Sequence, residues 1–283
     1  SVGGWVALAV LLIIGNRTGR FQEGKKKTFQ GSNTPLAALG ALILWFGWFG
    51  FNGGANGAMD LRIPLILINT FLAASAGLVL SSIMGIYVMK KPEPMFMITG
   101  PIAGLVSITA SCAFVEPTEA IIIGSIGGIV SGSGIILLEK IKVDDVVSAV
   151  PVHLFAGTWA TIAVAIFGDL EAMGIEKSKL DQLYIQLIGI VSVGAFCFVS
   201  AFSVFFIINL FFKLRVNKIQ EDMGLNISEH NASTATHELL QVLNKQQETD
   251  DFSLRAPQDP FTEAGVIASQ YNNIMDKLEQ SEH

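Results

Sequence analysis

Long uncharged stretches separated by short charged loops make up most of the chain up to Phe212. A helix needs about 20 apolar residues to cross the hydrocarbon core of a bilayer, and six stretches are of that order. We therefore expect an all-α fold, that of a polytopic helical membrane protein. The six stretches are Thr28 to Met59, Ile63 to Met89, Pro94 to Val115, Ala120 to Leu138, Val146 to Gly168 and Leu183 to Phe212.

A shorter apolar stretch, Ser1 to Asn16, is typical of the second half of a seventh span. It has neither the charged start nor the small-residue cleavage site of a signal peptide, and the chain does not begin with methionine. We therefore expect the gene product to be longer than this chain.

Lysine and arginine are distributed unevenly among the loops, and short loops rich in them stay in the cytoplasm. One alternate set of loops holds three basic residues, Arg62, Lys177 and Lys179. We therefore expect a multi-pass protein of the plasma membrane with a cytoplasmic carboxyl end. The other set holds twelve: Arg17, Arg20, Lys25, Lys26, Lys27, Lys90, Lys91, Lys140, Lys142, Lys213, Arg215 and Lys218.

Composition agrees with this class, since 51% of the residues are hydrophobic, 15% are charged and 28 of 283 are glycine. Glycines at four-residue spacing, as in Gly100 to Gly104, let helix backbones approach closely in a bilayer. The net charge of −6 comes largely from the tail and indicates no nucleic-acid partner. Cys112 and Cys197 lie in separate apolar runs, so neither a metal site, a disulfide nor a cofactor is predicted.

His153 is the only histidine in the long apolar runs, and the run around it carries no formal charge. An ionisable ring at bilayer depth is costly to desolvate and marks a permeation path or a proton relay. The alternative is an imidazole satisfied by neighbouring helix backbones. Pro151 removes one helix hydrogen bond close by, and the resulting kink either turns the imidazole toward a lumen or serves packing alone.

Acidic residues are absent from the predicted spans. Transporters driven by stoichiometric proton or sodium binding usually carry a membrane carboxylate, so this pattern favours a channel-like conductor of a small, nearly neutral solute. An enzyme is not predicted, because the spans hold no paired carboxylates, no nucleophile beside His153 and no metal-ligand spacing.

Aromatic residues cluster from Trp45 to Asn52, at the outer end of a span. They are typical of a membrane-interface belt. Their faces also attract cations by roughly 0.5 to 2 kcal/mol, which would suit recruitment of a small ammonium-type ion.

Several motifs occur in a fixed order from the first predicted long span to the start of the tail. In order and spacing they resemble the ammonium transporter (Amt/Rh) family over residues 1 to about 230. The motifs are Gly47-Trp48-Phe-Gly-Phe51-Asn52-Gly, Asn69-Thr70, Ile102-Ala-Gly-Leu-Val, Val143-Asp-Asp145 followed by Val152-His153, and Leu214-Arg215-Val with Glu221 and Gly224-Leu225.

The resemblance implies an eleven-helix subunit built from two inverted five-helix halves and a final long helix, assembled as a homotrimer with one pore per subunit. This chain would carry the end of the fifth helix through the eleventh, and so the second inverted repeat. It implies that His153 is one of two pore histidines, with its partner immediately before Ser1. It further implies that Phe51 belongs to a pair closing the outer mouth and that Trp48 and Asn52 line the pore.

Three positions depart from the family pattern. Ala55 stands where many members have an outer-site serine, and Ser148 stands where many have an aspartate upstream of the histidine. Asn226 replaces the usual aspartate of the tail. These departures bear on the outer site, the orientation of His153 and the docking of a PII-type signal protein.

The chain turns polar after Phe212, which gives three predicted regions: a partial transporter domain (1–212), a cytoplasmic regulatory tail (213–230) and a signalling extension (231–283). The resemblance assigns Arg215, Glu221, Gly224 and Leu225 to the regulatory tail. In the extension, Thr236 to Leu243 and Phe261 to Leu278 are predicted as two amphipathic helices. Their pattern is similar to a HAMP signalling module, with a solvated tail or coiled-coil arm as the alternative.

Two functions follow from these expectations. The first is transport of ammonium or ammonia through an apolar pore lined by His153, coupled to a cytoplasmic signalling module or a fused output domain. The second is an ammonium sensor that conducts little and signals through its carboxyl-terminal extension.

Overall fold

The computed structural model describes residues 1–21, 29, 31 and 33–282. Every regular element in those ranges is helical. The residues Lys25, Lys26, Lys27 and Thr28, on which part of the orientation and of the first long span was predicted, lie outside the described residues.

The chain divides into two compact units, Ser1–Arg215 and Val216–His283. The first unit contains seven α-helices and one π-helix within the described residues. They are α1 (Val2–Ile14), α2 (Thr34–Ala55), α3 (Ile63–Met89), α4 (Pro94–Thr109), α5 (Pro117–Lys140), the π-helix (Val150–Phe155), α6 (Ala156–Phe167) and α7 (Lys179–Phe211).

In the part of this unit that the structure describes, five helical stretches are long and apolar enough to cross a membrane: α2, α3, α5, the π-helix joined to α6, and α7. Helices α1 and α4 are apolar but shorter. Within the predicted stretch Pro94 to Val115, helix α4 ends earlier than expected, at Thr109 after 16 residues. Beyond it, Asn69 of α3 donates to the carbonyl oxygens of Cys112 (2.9 Å) and Val115 (2.8 Å), so these groups are paired without a helix.

Helices α3, α4 and α5 form the best-packed part of the unit. Gly104 of α4 and Gly124 of α5 approach the same carbonyl of α3, since a Cβ on either would lie 2.2 Å from the oxygen of Ala73. Such backbone contact requires glycine and supplies the dispersion energy that holds membrane helices together. Apolar side chains, among them Ile66 and Ile123, complete this core.

Up to residue 282, the second unit contains two short and two longer helices: α8 (Lys218–Met223), α9 (Leu225–His230), α10 (Ala235–Thr249) and α11 (Glu263–Glu282). Helices α10 and α11 pack around Leu239, Ala256 and Ala268. The segment between them is fixed by Asn272, whose amide donates to the Ala256 oxygen (2.8 Å) and accepts from the Ala256 nitrogen (2.9 Å).

Helix α10 is longer than the predicted Thr236 to Leu243. Its added turns contain Gln246, which is buried, accepts from the Tyr271 hydroxyl and donates to the Leu254 carbonyl at 2.8 Å. A polar residue buried by hydrogen bonding does not show in a hydrophobic pattern, which explains the difference.

Candidate functional site

His153 lies in the π-helix, in which the nitrogen of Ala156 bonds to the oxygen of Pro151 five residues earlier. Pro151 lies in the first turn of this helix, where its missing N–H costs no helix hydrogen bond. His153 is half-buried, although Val152 and Leu154 on either side are buried. The chain around His153 thus departs from a regular α-helix, and π-turns are frequent at functional sites.

Asp145 holds the start of the π-helix. Its two carboxylate oxygens accept from the backbone nitrogens of Ala149 (3.0 Å) and Val150 (2.7 Å), groups that lack partners at a helix start. Ser148 has a φ of 58°, and this left-handed residue turns the chain so that the carboxylate reaches both nitrogens. Sequence reasoning missed this role, although an aspartate before an apolar run is a helix-start signal.

Asp144 binds the segment that directly follows α1. Its carboxylate accepts from Arg17 through the backbone nitrogen (3.0 Å), Nε (2.7 Å) and Nη2 (2.8 Å). The nitrogen of Asp144 donates to Asn16 Oδ1 at 3.1 Å. Burial raises the pKa of Asp144, but the hydrogen bonds and charge of Arg17 outweigh it and lower the pKa below its ordinary value.

The first turn of α1 packs against the segment that carries His153. A Cβ on Gly4 would lie 2.3 Å from the nitrogen of Leu154, and one on Gly157 would lie 3.0 Å from the nitrogen of Ser1. The chain at Ser1 is thus adjacent to the helical turn that follows His153.

Trp48, Phe51 and Asn52 lie together on α2. The Trp48 and Phe51 rings are 5.8 Å apart at 62°, an edge-to-face contact, and Phe51 is 61% exposed. Trp48 Nε1 donates to Thr109 Oγ1 of α4 at 2.8 Å. Asn52 is buried, and its Nδ2 donates to Thr70 Oγ1 of α3 at 2.9 Å.

The predicted pore residues therefore lie on two elements, α2 and the π-helix. Helix α4 packs against both α2 and the π-helix and so connects the aromatic group with the segment of His153. Thr70 and Thr109 were not predicted as site residues, because a threonine in an apolar helix ordinarily bonds to its own backbone.

The predicted tail residues fall in different units. Arg215 belongs to the first, where its Nη1 donates to the carbonyl oxygens of Ile14, at 3.1 Å, and of Asn16. Glu221 lies in α8, Gly224 joins α8 to α9 with a φ of 92°, and Leu225 begins α9.

Apolar helices in close backbone contact, with one imidazole in a π-turn, define a multi-pass helical membrane protein. Its family is established by comparison with known proteins. The chain belongs to the Ammonium Transporter Family, whose model matches residues 1–235. The resemblance and the all-α membrane fold predicted from the motifs and apolar runs are thereby confirmed, while the likeness of the tail to a HAMP module stays a prediction.

Known relatives align with most or all of the chain. A putative ammonium transporter of Synechocystis sp. is 42% identical over 289 residues, 100% of this chain and 52% of that protein. An ammonium transporter of Archaeoglobus fulgidus is 38% identical over 244 residues, 82% of this chain and 52% of that protein. The chain thus spans about half the length of these curated relatives.

Solved structures agree with the fold. A structure described as a sensor Amt protein matches with a TM-score of 0.77 and 36% identity, over 81% of this chain and 57% of that one.

Proposed function

We propose that the complete protein transports ammonium by passing ammonia through a narrow apolar path lined by His153, Trp48 and Asn52, with Phe51 at its outer mouth. The observation that carries the proposal is His153 itself. It is half-buried in a π-turn of an uncharged span whose neighbouring side chains are buried. Such accessibility at bilayer depth suits a group that meets a solute.

The chemistry follows from the cost of burying charge. A bare ammonium ion in a low-dielectric tube carries a desolvation cost of order tens of kcal/mol, so ammonia and its proton would move separately. A neutral imidazole has one donor and one acceptor nitrogen and can bind ammonia and relay a proton. Hydrated sodium and potassium have no proton to release and would be excluded.

The relay needs a second imidazole, which we place immediately before Ser1. The contact of Ser1 with Gly157 supports this placement, because a residue preceding Ser1 would adjoin the turn that follows His153. In the proposed assembly the complete subunit has two inverted halves, forms a homotrimer and lies in the plasma membrane with its tail in the cytoplasm.

The tail would regulate the pore through Arg215, Glu221, Gly224 and Leu225 and connect to a PII-type protein or a fused output domain. An ammonium sensor with little conduction is the second candidate function. It rests on the separate second unit, in which the Tyr271 hydroxyl of α11 donates to Gln246 of α10, and on the likeness to the sensor Amt protein.

Flux through the complete protein in proteoliposomes tests both functions. We expect a steady ammonium-dependent current, and His153→Ala should reduce it roughly a hundredfold, the lower end for loss of a positioned proton-transfer group. His237→Ala changes a histidine of the second unit and should leave the current intact. An unchanged current and ion selectivity in His153→Ala would disprove the relay, and absence of current in the unaltered protein would leave the sensor.

A further inference from the structure

The two tryptophans of α2 differ in how their indole nitrogens are bonded. Trp48 Nε1 donates to Thr109 Oγ1 at 2.8 Å. Trp45 Nε1 is buried and has no hydrogen-bond partner among the described residues. Each indole ring also contacts a phenylalanine ring: Trp45 contacts Phe71, and Trp48 contacts Phe51. Of the two, Trp48 is the indole that a polar contact orients.

The Thr109 hydroxyl is arranged to accept that bond. Its own hydrogen is directed to the Leu105 carbonyl oxygen, 2.7 Å away in the preceding turn of α4. A hydroxyl has one hydrogen and two lone pairs, so an oxygen whose hydrogen is engaged presents lone pairs to other donors. Indole Nε1–H is a donor without acceptor capacity and matches this geometry.

Phe51 depends on Trp48 for its placement. It lies edge-to-face on that ring, at 5.8 Å between centroids, and is 61% exposed, so few other side chains fix it. The other polar contact of α2 in this region, Asn52 to Thr70, fixes the helix but does not touch the rings.

We infer that Thr109 is a positioning residue for the outer mouth: its hydroxyl fixes the Trp48 ring and, through it, Phe51, and so sets which amines enter. This inference rests on the proposed function. It assigns discrimination between ammonium and the larger methylammonium to a bond between α2 and α4.

Three variants of the complete protein test the inference. Thr109→Val keeps the shape of the side chain but removes the hydroxyl acceptor. Thr109→Ala also removes the hydroxyl and is not β-branched, whereas Thr109→Ser keeps the hydroxyl. Thr99→Val is the matched control, because Thr99 also lies on α4 and donates to a carbonyl one turn earlier, that of Met95 at 2.7 Å.

Two readouts are taken on each variant: the ratio of ammonium to methylammonium flux, and the indole N–H hydrogen-bond band in the ultraviolet resonance Raman difference spectrum. We expect Thr109→Val and Thr109→Ala to lose one bonded indole and to lower the flux ratio roughly two- to tenfold, the range for one net hydrogen bond. Thr109→Ser and Thr99→Val should match the unaltered protein in both readouts.

The outcomes separate this inference from the function on which it rests. Loss of the bonded indole with an unchanged flux ratio would overturn it, as would a serine variant that behaves like valine. If valine does not yield folded protein, the alanine variant decides by the same criteria. Absence of ammonium flux in the unaltered protein would overturn the proposed function and the inference together.

Discussion

Helices α3 and α7 are both long and apolar, yet they pack in opposite ways. Helix α3 packs against both α4 and α5 and buries Asn69, Ala73, Gly77 and other residues along its length. Helix α7 has 33 residues and, within the part of the chain that the structure describes, buries two of them, Gln182 and Gly194.

The difference shows that hydropathy places a helix in the membrane without saying what covers it. What distinguishes α3 is small residues facing small residues, as where Gly128 of α5 meets Gly77. Helix α7 instead presents large side chains such as Val191 and Phe196, which lipid or another apolar surface can cover. Substitutions at glycines of the two regions therefore test the comparison directly.

The largest effect is expected at Gly124, whose Cβ would lie 2.2 Å from the Ala73 oxygen. Gly124→Leu would force α3 and α5 apart, at a cost of at least about 3 kcal/mol, the upper end for overpacking. We expect little folded protein by size-exclusion chromatography in detergent. Gly189→Leu on α7, where no atom lies within 4 Å of the Cβ position, should give normal yield. An equal loss of folded protein in Gly124→Leu and Gly189→Leu would mean that protein, not lipid, covers the exposed face of α7.

A smaller effect is expected within α7 itself. A Cβ on Gly194 would lie 2.7 Å from the Trp5 ring of α1, so Gly194→Ala should destabilise the complete protein by about 1 to 3 kcal/mol. Gly189→Ala, on the same helix, should be stabilising by roughly 0.5 to 1 kcal/mol, because alanine favours a helix interior over glycine. Thermal unfolding midpoints of the two variants measure the contrast. A midpoint for Gly194→Ala at or above that of Gly189→Ala would show that α1 does not pack on α7 in this way.

The smallest effect concerns the loop between α5 and the π-helix. Because the folded-state pKa of Asp144 is lowered, its stabilisation is present above the ordinary value of 3.8 and is lost as the pH falls through the lower folded-state value. Arg17 is 35% exposed, so water screens part of this pair. When the pH is lowered below about 4, the thermal unfolding midpoint should therefore decrease less steeply in Asp144→Asn than in the unaltered protein. Glu176→Gln, at an exposed carboxylate of another loop, should keep the original slope.

Span positions followed from the sequence because charge marks where an apolar run must end. Ile63 to Met89 was predicted and observed with the same bounds. The starts of other helices differ from the predicted ones where a capping residue, rather than the end of the charged loop, determines where the helix begins. Helix α5 begins at Pro117 rather than Ala120, since Glu119 accepts from the nitrogen of Glu116 at 2.8 Å and completes a capping box. Helix α7 begins at Lys179 rather than Leu183, because Ser178 accepts from the Asp181 nitrogen at 3.1 Å.

The candidate site was less accessible to sequence reasoning. His153 could be singled out because a histidine in an uncharged run is rare. The roles of Thr70 and Thr109 could not be predicted, since each accepts a hydrogen bond from a residue of another helix that is distant along the chain. The bonds of Asp145 are local, and an aspartate before an apolar run does indicate them. Thr109 is 61 positions from Trp48 along the chain, and no local pattern relates the two.

The π-turn at Pro151 also sets which face of the following helix, α6, each of its side chains lies on. One residue more than an α-turn shifts the phase of the following helix by roughly 100°. Gly157 reaches Ser1, and Trp159 Nε1 reaches the Ile123 carbonyl at 3.0 Å, in that shifted phase. A one-residue deletion before His153 that restored a regular α-helix would thus rotate Gly157 and Trp159 away from these partners. The extra residue of the π-turn therefore orients α6 as well as the imidazole.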